Sequence, residues 1–300
     1  MEHRKIGSLS VSLVGIGCNN FGWRIDAAAT QSVVDAALDA GINFFDTADM
    51  YGTGQSEEFL GKALKGRRDK AIIATKFGLK MGDGMEGARP AYIRQALDAS
   101  LLRLGVDVID LYQIHRPDDK TPIADTMEAL NDAVKAGKVR EIGCSNFTAE
   151  QMRAAHTTHG PKYFASVQNE YSIINREPEV EVLPECARTG VGFLPYFPLA
   201  NGLLTGKYRK GAPLPEGSRA KDGFGPKVFT EVNLARVEAL AVFAELQGHT
   251  LLELAFSWLA AHTEVSSVIA GAKTPEQVRA NATAASWKLT EADQAFVRAI

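Results

Sequence analysis

The chain has 300 residues, 45% hydrophobic and 23% charged, with a formal charge of -3. This is the balance of a globular protein, and it carries no electrostatic footprint for nucleic acid or an anionic membrane. Three scattered cysteines, Cys18, Cys144 and Cys186, show no CxxC spacing, which argues against a disulfide scaffold or a zinc site. The first seven residues lead into no apolar h-region, and no apolar run reaches about 18 residues, so a cytoplasmic protein is expected.

In chain order, a polar start over 4–11 reads as a β-hairpin. Eight short apolar runs follow: SLVGIG (12–17), INFFDTA (42–48), AIIATK (71–76), VIDLYQIH (108–115), VREIGCSN (139–146), ASVQNEY (165–171), GFLPYFP (192–198) and SSVIAGA (266–272). Each is nearly apolar through its middle, as strands buried on both faces of a parallel sheet are. Amphipathic stretches of helical length separate them, at 30–40, 55–64, 90–104, 121–136 and 177–188. Pro90 and Pro122 fall near helix starts, and Gly41, Gly105, Gly137 and Gly190 just past helix ends. The pattern predicts an α/β fold, either a closed (β/α)8 TIM barrel or an open doubly wound sheet, and the count of eight favours the barrel. One domain over 1–300 is expected, with the hairpin plugging its bottom.

The rhythm breaks once, between 196 and 271. A Gly- and Pro-rich loop at about 197–231 carries Lys207, Arg209, Lys210, Arg219, Lys221 and Lys227, and two extra helices follow at 232–246 and 251–262. So long a loop is uncommon in a compact domain. Composition fits a clamp over an anionic ligand and a solvated surface loop equally well.

Nearly every apolar run ends in a polar or aromatic residue: Asp46, Lys76, His115, Ser145-Asn146, Gln168, Tyr196 and Lys273. The C-terminal ends of barrel strands are where such folds place their chemistry. Singly, a strand-end Asp is more often a cap, a Tyr packing and a His structural. Jointly, Asp46, Tyr51, Lys76 and His115 can form a proton-delivery device. A buried lysine needs a carboxylate partner, and an ammonium beside a phenol is expected to lower the phenol's pKa and sharpen it as an acid. A neutral histidine can orient the same substrate oxygen. That suits reduction of a carbonyl, with the hydride supplied by a nicotinamide. Asp49 reads as a loop or supporting residue.

The stretches FFDTADMYGTGQSEEFLGKAL, AIIATKFG, LLRLGVDVIDLYQIHRPD, EALNDAVKAGKVREIGCSNF, QNEYSIINRE, PYFPLANGLLTGKY and VIAGAKTPEQVRAN, in this order, resemble the aldo-keto reductases. The resemblance is especially to the branch that includes bacterial reductases and potassium-channel β-subunits. The resemblance implies the (β/α)8 fold, carbonyl reduction, NADPH rather than NADH, and a catalytic tetrad of Asp46, Tyr51, Lys76 and His115. It implies that Ser145, Asn146 and Gln168 hold the nicotinamide carboxamide and that Tyr196 stacks on the ring. Pro198, Leu199, Gly202, Lys207 and Arg219 fall in its pyrophosphate-wrapping segment. Gly271, Lys273, Thr274, Gln277 and Asn281 match its adenosine and 2′-phosphate end, where the start of a helix also favours phosphate.

Two departures stand out. Ala280 replaces a glutamate common near adenine, and Phe197 replaces a usual small serine. No long tail follows Ile300, which leads to the expectation of a more open substrate pocket. GIGCNNFG (15–22) is not a G-x-G-x-x-G fingerprint; it reads as the first strand and its loop, bringing Asn19, Asn20 and Trp23 near the substrate. Arg116, directly after the histidine, is either a pocket cation or a surface residue. HTTH (156–159) has helix-face spacing but no third metal ligand in view, so no metal is expected. The expected partner is a small carbonyl compound, with an NADPH-binding regulatory or sensor subunit as the alternative.

Overall fold

The computed structural model describes residues 1–158, 162–208 and 228–300. Arg219, His159 and most of the basic loop therefore lie outside the described residues. Strands β1 (His3–Ile6) and β2 (Leu9–Ser12) form an antiparallel hairpin. The eight predicted strands follow as β3 (Val14–Gly17), β4 (Phe44–Asp46), β5 (Ile72–Phe77), β6 (Ile109–Ile114), β7 (Val139–Ser145), β8 (Ser166–Glu170), β9 (Gly192–Tyr196) and β10 (Val268–Gly271).

All neighbouring pairs in this sheet are parallel, in the order β10-β3-β4-β5-β6-β7-β8-β9. The ring closes where Phe193 of β9 bridges Val265, just ahead of β10. There the Phe193 N–H donates to Glu264 O at 2.7 Å, and the Ser266 N–H donates to Phe193 O at 2.9 Å. The expected TIM barrel is the observed fold, and the open-sheet alternative is set aside by this seam.

Side-chain alternation along the strands divides two cores. Phe44, Ala74, Leu111, Leu194 and Ile269 point into the barrel and meet Ile6, Leu9 and Val11 of the hairpin. Phe45, Ile73, Tyr112, Ile142, Val167 and Phe193 pack outward against the helices. The hairpin is fixed by charge as well as by packing. Glu141 accepts from the Ser8 N–H at 2.9 Å and pairs with Lys162 at 2.7 Å. The Arg4 guanidinium donates to the carbonyls of Ala260, His262 and Val265.

Helices α1 (Ala27–Asp39), α2 (Gln55–Ala63), α3 (Pro90–Leu104), α4 (Ile123–Lys135), α5 (Ala149–His156) and α6 (Val182–Thr189) alternate with the strands. Asp26 caps α1 and Pro90 opens α3, while Gly105 and Gly190 end α3 and α6 in left-handed backbone at φ 64° and 73°. Between β9 and β10 lie two helices, α7 (Glu231–Leu246) and α8 (Leu251–Ala260). After β10 come α9 (Pro275–Ala284) and α10 (Glu291–Ala299). Among the described residues no helix is long and apolar enough to cross a membrane.

Register brings the polar strand ends to one rim. Gly17 pairs with Asp46, Lys76 with Gln113, and Ser145 with Gln168.

Candidate active site

A cavity of about 680 Å³ opens at this rim. Asp46, Tyr51 and His115 line it, with Lys76 directly behind them and fully buried. The Lys76 ammonium donates to Asp46 Oδ2 at 2.7 Å and to the Thr47 carbonyl at 2.9 Å, and it lies 5.2 Å from the centre of the Tyr51 ring. An ammonium only donates, so the Tyr51 hydroxyl cannot spend its proton on Lys76. The Tyr51 ring meets the His115 ring edge-on at 5.9 Å.

The loop that carries Tyr51 folds this way because of its glycines. Gly52 has φ 56°, and a Cβ there would sit 3.0 Å from the Gly22 carbonyl oxygen. A Cβ on Gly22 would come within 2.4 Å of the Gln55 Cβ. The β3–α1 and β4–α2 loops therefore touch backbone to backbone, which holds Tyr51 over Lys76.

The electrostatics depart from the sequence reading in one respect. Burial raises the Tyr51 pKa, Lys76 pulls it down, and Asp46 pushes it up again, so the phenol ends above its ordinary value. The ammonium offsets desolvation without overcoming it. Burial also works against the Lys76 charge, but Asp46 and Tyr51 hold that lysine above its usual range. Burial, then the positive charges of Lys76 and Arg116, drive His115 well below the ordinary histidine value, which leaves it neutral.

One residue that the sequence reading passed over belongs to this centre. Gln113 donates to Asp46 Oδ1 at 3.2 Å, beside a 2.9 Å bond from Gln168. The signal was a glutamine inside an otherwise apolar strand, two residues before His115 and therefore on the same face. Asp49 is also buried, although it sits in the loop. Burial first, then the charge of Glu57, pushes it up to about 7, against partial relief from the Met50 N–H, Arg103 and Lys76.

That shift has a signed consequence. Between about pH 4 and pH 7 the unfolded chain gives up the Asp49 proton while the folded chain keeps it, so stability falls across that window and is flat above it. At about 1.4 kcal/mol per pH unit the loss reaches up to about 4 kcal/mol. Asp49→Asn should recover most of it at pH 8 and gain nothing at pH 4. Urea denaturation of both proteins at the two pH values measures this, and equal gains at both would overturn the assignment.

Of the expected cofactor positions, Ser145, Asn146, Gln168, Tyr196, Pro198, Leu199, Gly202, Lys207, Gly271, Lys273, Gln277 and Asn281 all line the cavity. Thr274 does not; its hydroxyl caps α9. The segment after β9 is bent into left-handed backbone at Phe197, Ala200, Asn201 and Gly202. Asn19 and Asn20 line the wall, but next to β10: a Cβ on Gly271 would sit 3.1 Å from Asn19 Oδ1 and 3.0 Å from Asn20 Nδ2. They therefore stand beside Gly271 in the same cavity as Tyr51 and His115. Trp23 lies outside the wall and is 63% exposed, carrying the Arg24 guanidinium 4.3 Å above its ring. Arg116 lines the wall. Among the described residues no cluster of His, Cys, Asp or Glu could hold a metal.

The donor set fits a dinucleotide. Amide and hydroxyl groups and an aromatic ring gather at the tetrad end, while Lys207 and Lys273 stand exposed farther along the same groove. Comparison with known proteins agrees. The model of the Aldo/keto reductase family matches residues 13–300. An aldo-keto reductase [NADP(+)] of Schizosaccharomyces pombe is 36% identical, covering 98% of this chain and 90% of that protein. An L-glyceraldehyde 3-phosphate reductase of Escherichia coli is 33% identical, covering 94% and 86%. Among solved structures, a glycerol dehydrogenase from Gluconobacter oxydans superposes with a TM-score of 0.85 at 32% identity, covering 98% of this chain and 93% of that one. With the barrel and these matches in agreement, the chain belongs to the aldo/keto reductase family.

Proposed function

We propose that this protein reduces aldehydes or ketones to alcohols with NADPH, and that Tyr51 is the proton donor. One observation carries the reading: the fully buried Lys76, held by Asp46 and Thr47, sits beside the Tyr51 ring, and as a pure donor it leaves the Tyr51 proton for another acceptor. A bound NADPH supplies the hydride at the carbonyl carbon. Tyr51 then protonates the carbonyl oxygen, which becomes a stronger base than a phenolate as the bond is reduced. A raised pKa keeps Tyr51 protonated at neutral pH, and the ammonium stabilises the phenolate that remains. His115, neutral and beside Tyr51, hydrogen-bonds the substrate oxygen and orients it. Asp46, held by two glutamine amides, keeps Lys76 charged and in place.

Ser145, Asn146 and Gln168 would hold the carboxamide, Tyr196 the ring, and Lys207 and Lys273 the phosphates. The printed name of the Schizosaccharomyces pombe relative supports NADP(H). Arg116 makes no hydrogen bond or ion pair with another described residue, so its charge is available to a substrate anion. The phosphorylated aldehyde in the name of the Escherichia coli relative is of that kind.

The test is a spectrophotometric panel of neutral, carboxylated and phosphorylated aldehydes, run with NADPH and NADH side by side. Turnover with NADPH is expected, with kcat/KM about ten-fold higher for anionic aldehydes, an advantage that Arg116→Ala erases. Equal kcat/KM for charged and neutral aldehydes would remove Arg116 from the pocket's chemistry. Tight NADPH binding without oxidation of any member would point to a sensor instead.

A further inference from the structure

The ends of β6, β7, β8 and β9 are tied together by one side-chain amide. Asn146 follows β7 in left-handed backbone, at φ 62°. Its Nδ2 donates to the His115 carbonyl at 3.0 Å and to Ser145 Oγ at 3.0 Å. Ser145 Oγ donates in turn to the Gln168 carbonyl at 2.7 Å. The Tyr196 hydroxyl donates to Asn146 Oδ1 at 2.8 Å. The amide cannot turn over, because that would set Oδ1 against the His115 carbonyl, which only accepts.

The remaining valences can be counted. An asparagine amide has two donors and two acceptor lone pairs, and a serine hydroxyl has one donor and two. Both Asn146 donors are spent, as is the Ser145 donor. What the pair still offers is one lone pair on Asn146 Oδ1 and one on Ser145 Oγ. Both accept and neither donates. Burial, and then the charge of Glu170, raise the Tyr196 phenol above its ordinary pKa, so it remains a donor through the neutral range.

We infer that the Tyr196 hydroxyl is a positioning group: by holding Asn146, it presents a pair of acceptors that take the –NH2 of a carboxamide and fix its orientation beside His115. The inference rests on the nicotinamide reading above and adds to it. The ring of Tyr196 and its hydroxyl do separate jobs, and the hydroxyl works through Asn146. Without that bond the Asn146 oxygen has no anchor on the β9 side, and the acceptor pair loses its fixed direction.

Tyr196→Phe keeps the ring and deletes the hydroxyl. The probe is binding, read by the fluorescence of NADPH and of its reduced 3-acetylpyridine analogue, in which a methyl replaces the –NH2. The variant should bind NADPH about five-fold more weakly and the analogue within two-fold of the wild type. In an Asn146→Ala background the same substitution should have no further effect, and this control stands even if Asn146→Ala alone weakens binding. Equal losses for both cofactors would mean that the hydroxyl only supports the ring, and no loss for either would mean that it does nothing; each result overturns the inference. If the wild-type protein bound neither cofactor, the nicotinamide reading would fall first and the inference with it.

Discussion

Replacing Tyr51 with phenylalanine should lower the kcat of carbonyl reduction by about two to four orders of magnitude, the usual contribution of a positioned general acid. NADPH affinity should stay within about three-fold. The substitution is conservative in every other respect. A phenyl ring keeps the edge-on contact with His115 and the position 5.2 Å from the Lys76 ammonium. It removes only the hydroxyl. Steady-state kinetics and NADPH fluorescence titration, run on one preparation, separate the two effects. Unchanged kcat would show that Tyr51 is not the acid. A large loss of NADPH affinity would show that the residue organises the groove instead. His115 is no substitute donor, since its lowered pKa leaves it without a second proton at neutral pH.

Lys76→Met should cost stability as well as activity. The Lys76–Asp46 pair spans 2.7 Å, and both side chains are almost wholly out of water. Removing one partner of such a pair leaves a buried charge uncompensated, which typically destabilises by about 3–5 kcal/mol. Asp46 would retain bonds from Gln113 and Gln168, which places the expected loss at the lower end of that range. The double variant Asp46→Asn/Lys76→Met removes the stranded charge and should regain most of the stability while remaining inactive. Urea denaturation of the three proteins measures this. A single variant as stable as the wild type would mean that the Lys76–Asp46 pair does not stabilise the fold. The sign with pH follows from the raised Lys76 value. The stabilisation is complete below the ordinary lysine range and is lost only as the pH climbs through the higher value of the folded protein.

The barrel was legible because its strands are buried on both faces. A run such as AIIATK or VIDLYQIH has no polar side to confuse with a surface strand, and the residue that breaks each run marks the rim. Helix α5 was read only from its end, at HTTH. It has eight residues, and its clearest mark was the capping box between Thr148 and Gln151. The site was legible where chemistry requires a residue type and illegible where burial decides. Nothing local distinguishes Asp49, with a pKa of about 7, from Asp26, a helix cap on the surface. The direction of the Tyr51 shift depended on a contest between desolvation and one ammonium, which only the packed structure decides. The loop after β3 does bring Asn19 and Asn20 to the cavity wall, whereas Trp23, three residues on, stays outside it and 63% exposed.

The hairpin at the barrel floor bears on how the chain is synthesised. Ile6, Leu9 and Val11 are made long before Leu194 and Ile269, on which they pack, and Arg4 waits for carbonyls at 260–265. The nascent chain must carry this apolar ribbon without its partners until residue 269 has emerged. Contacts so distant in sequence slow folding and lengthen exposure to aggregation. Translation arrested before residue 268 should therefore release an open, sticky barrel, whereas arrest just beyond α9 should not.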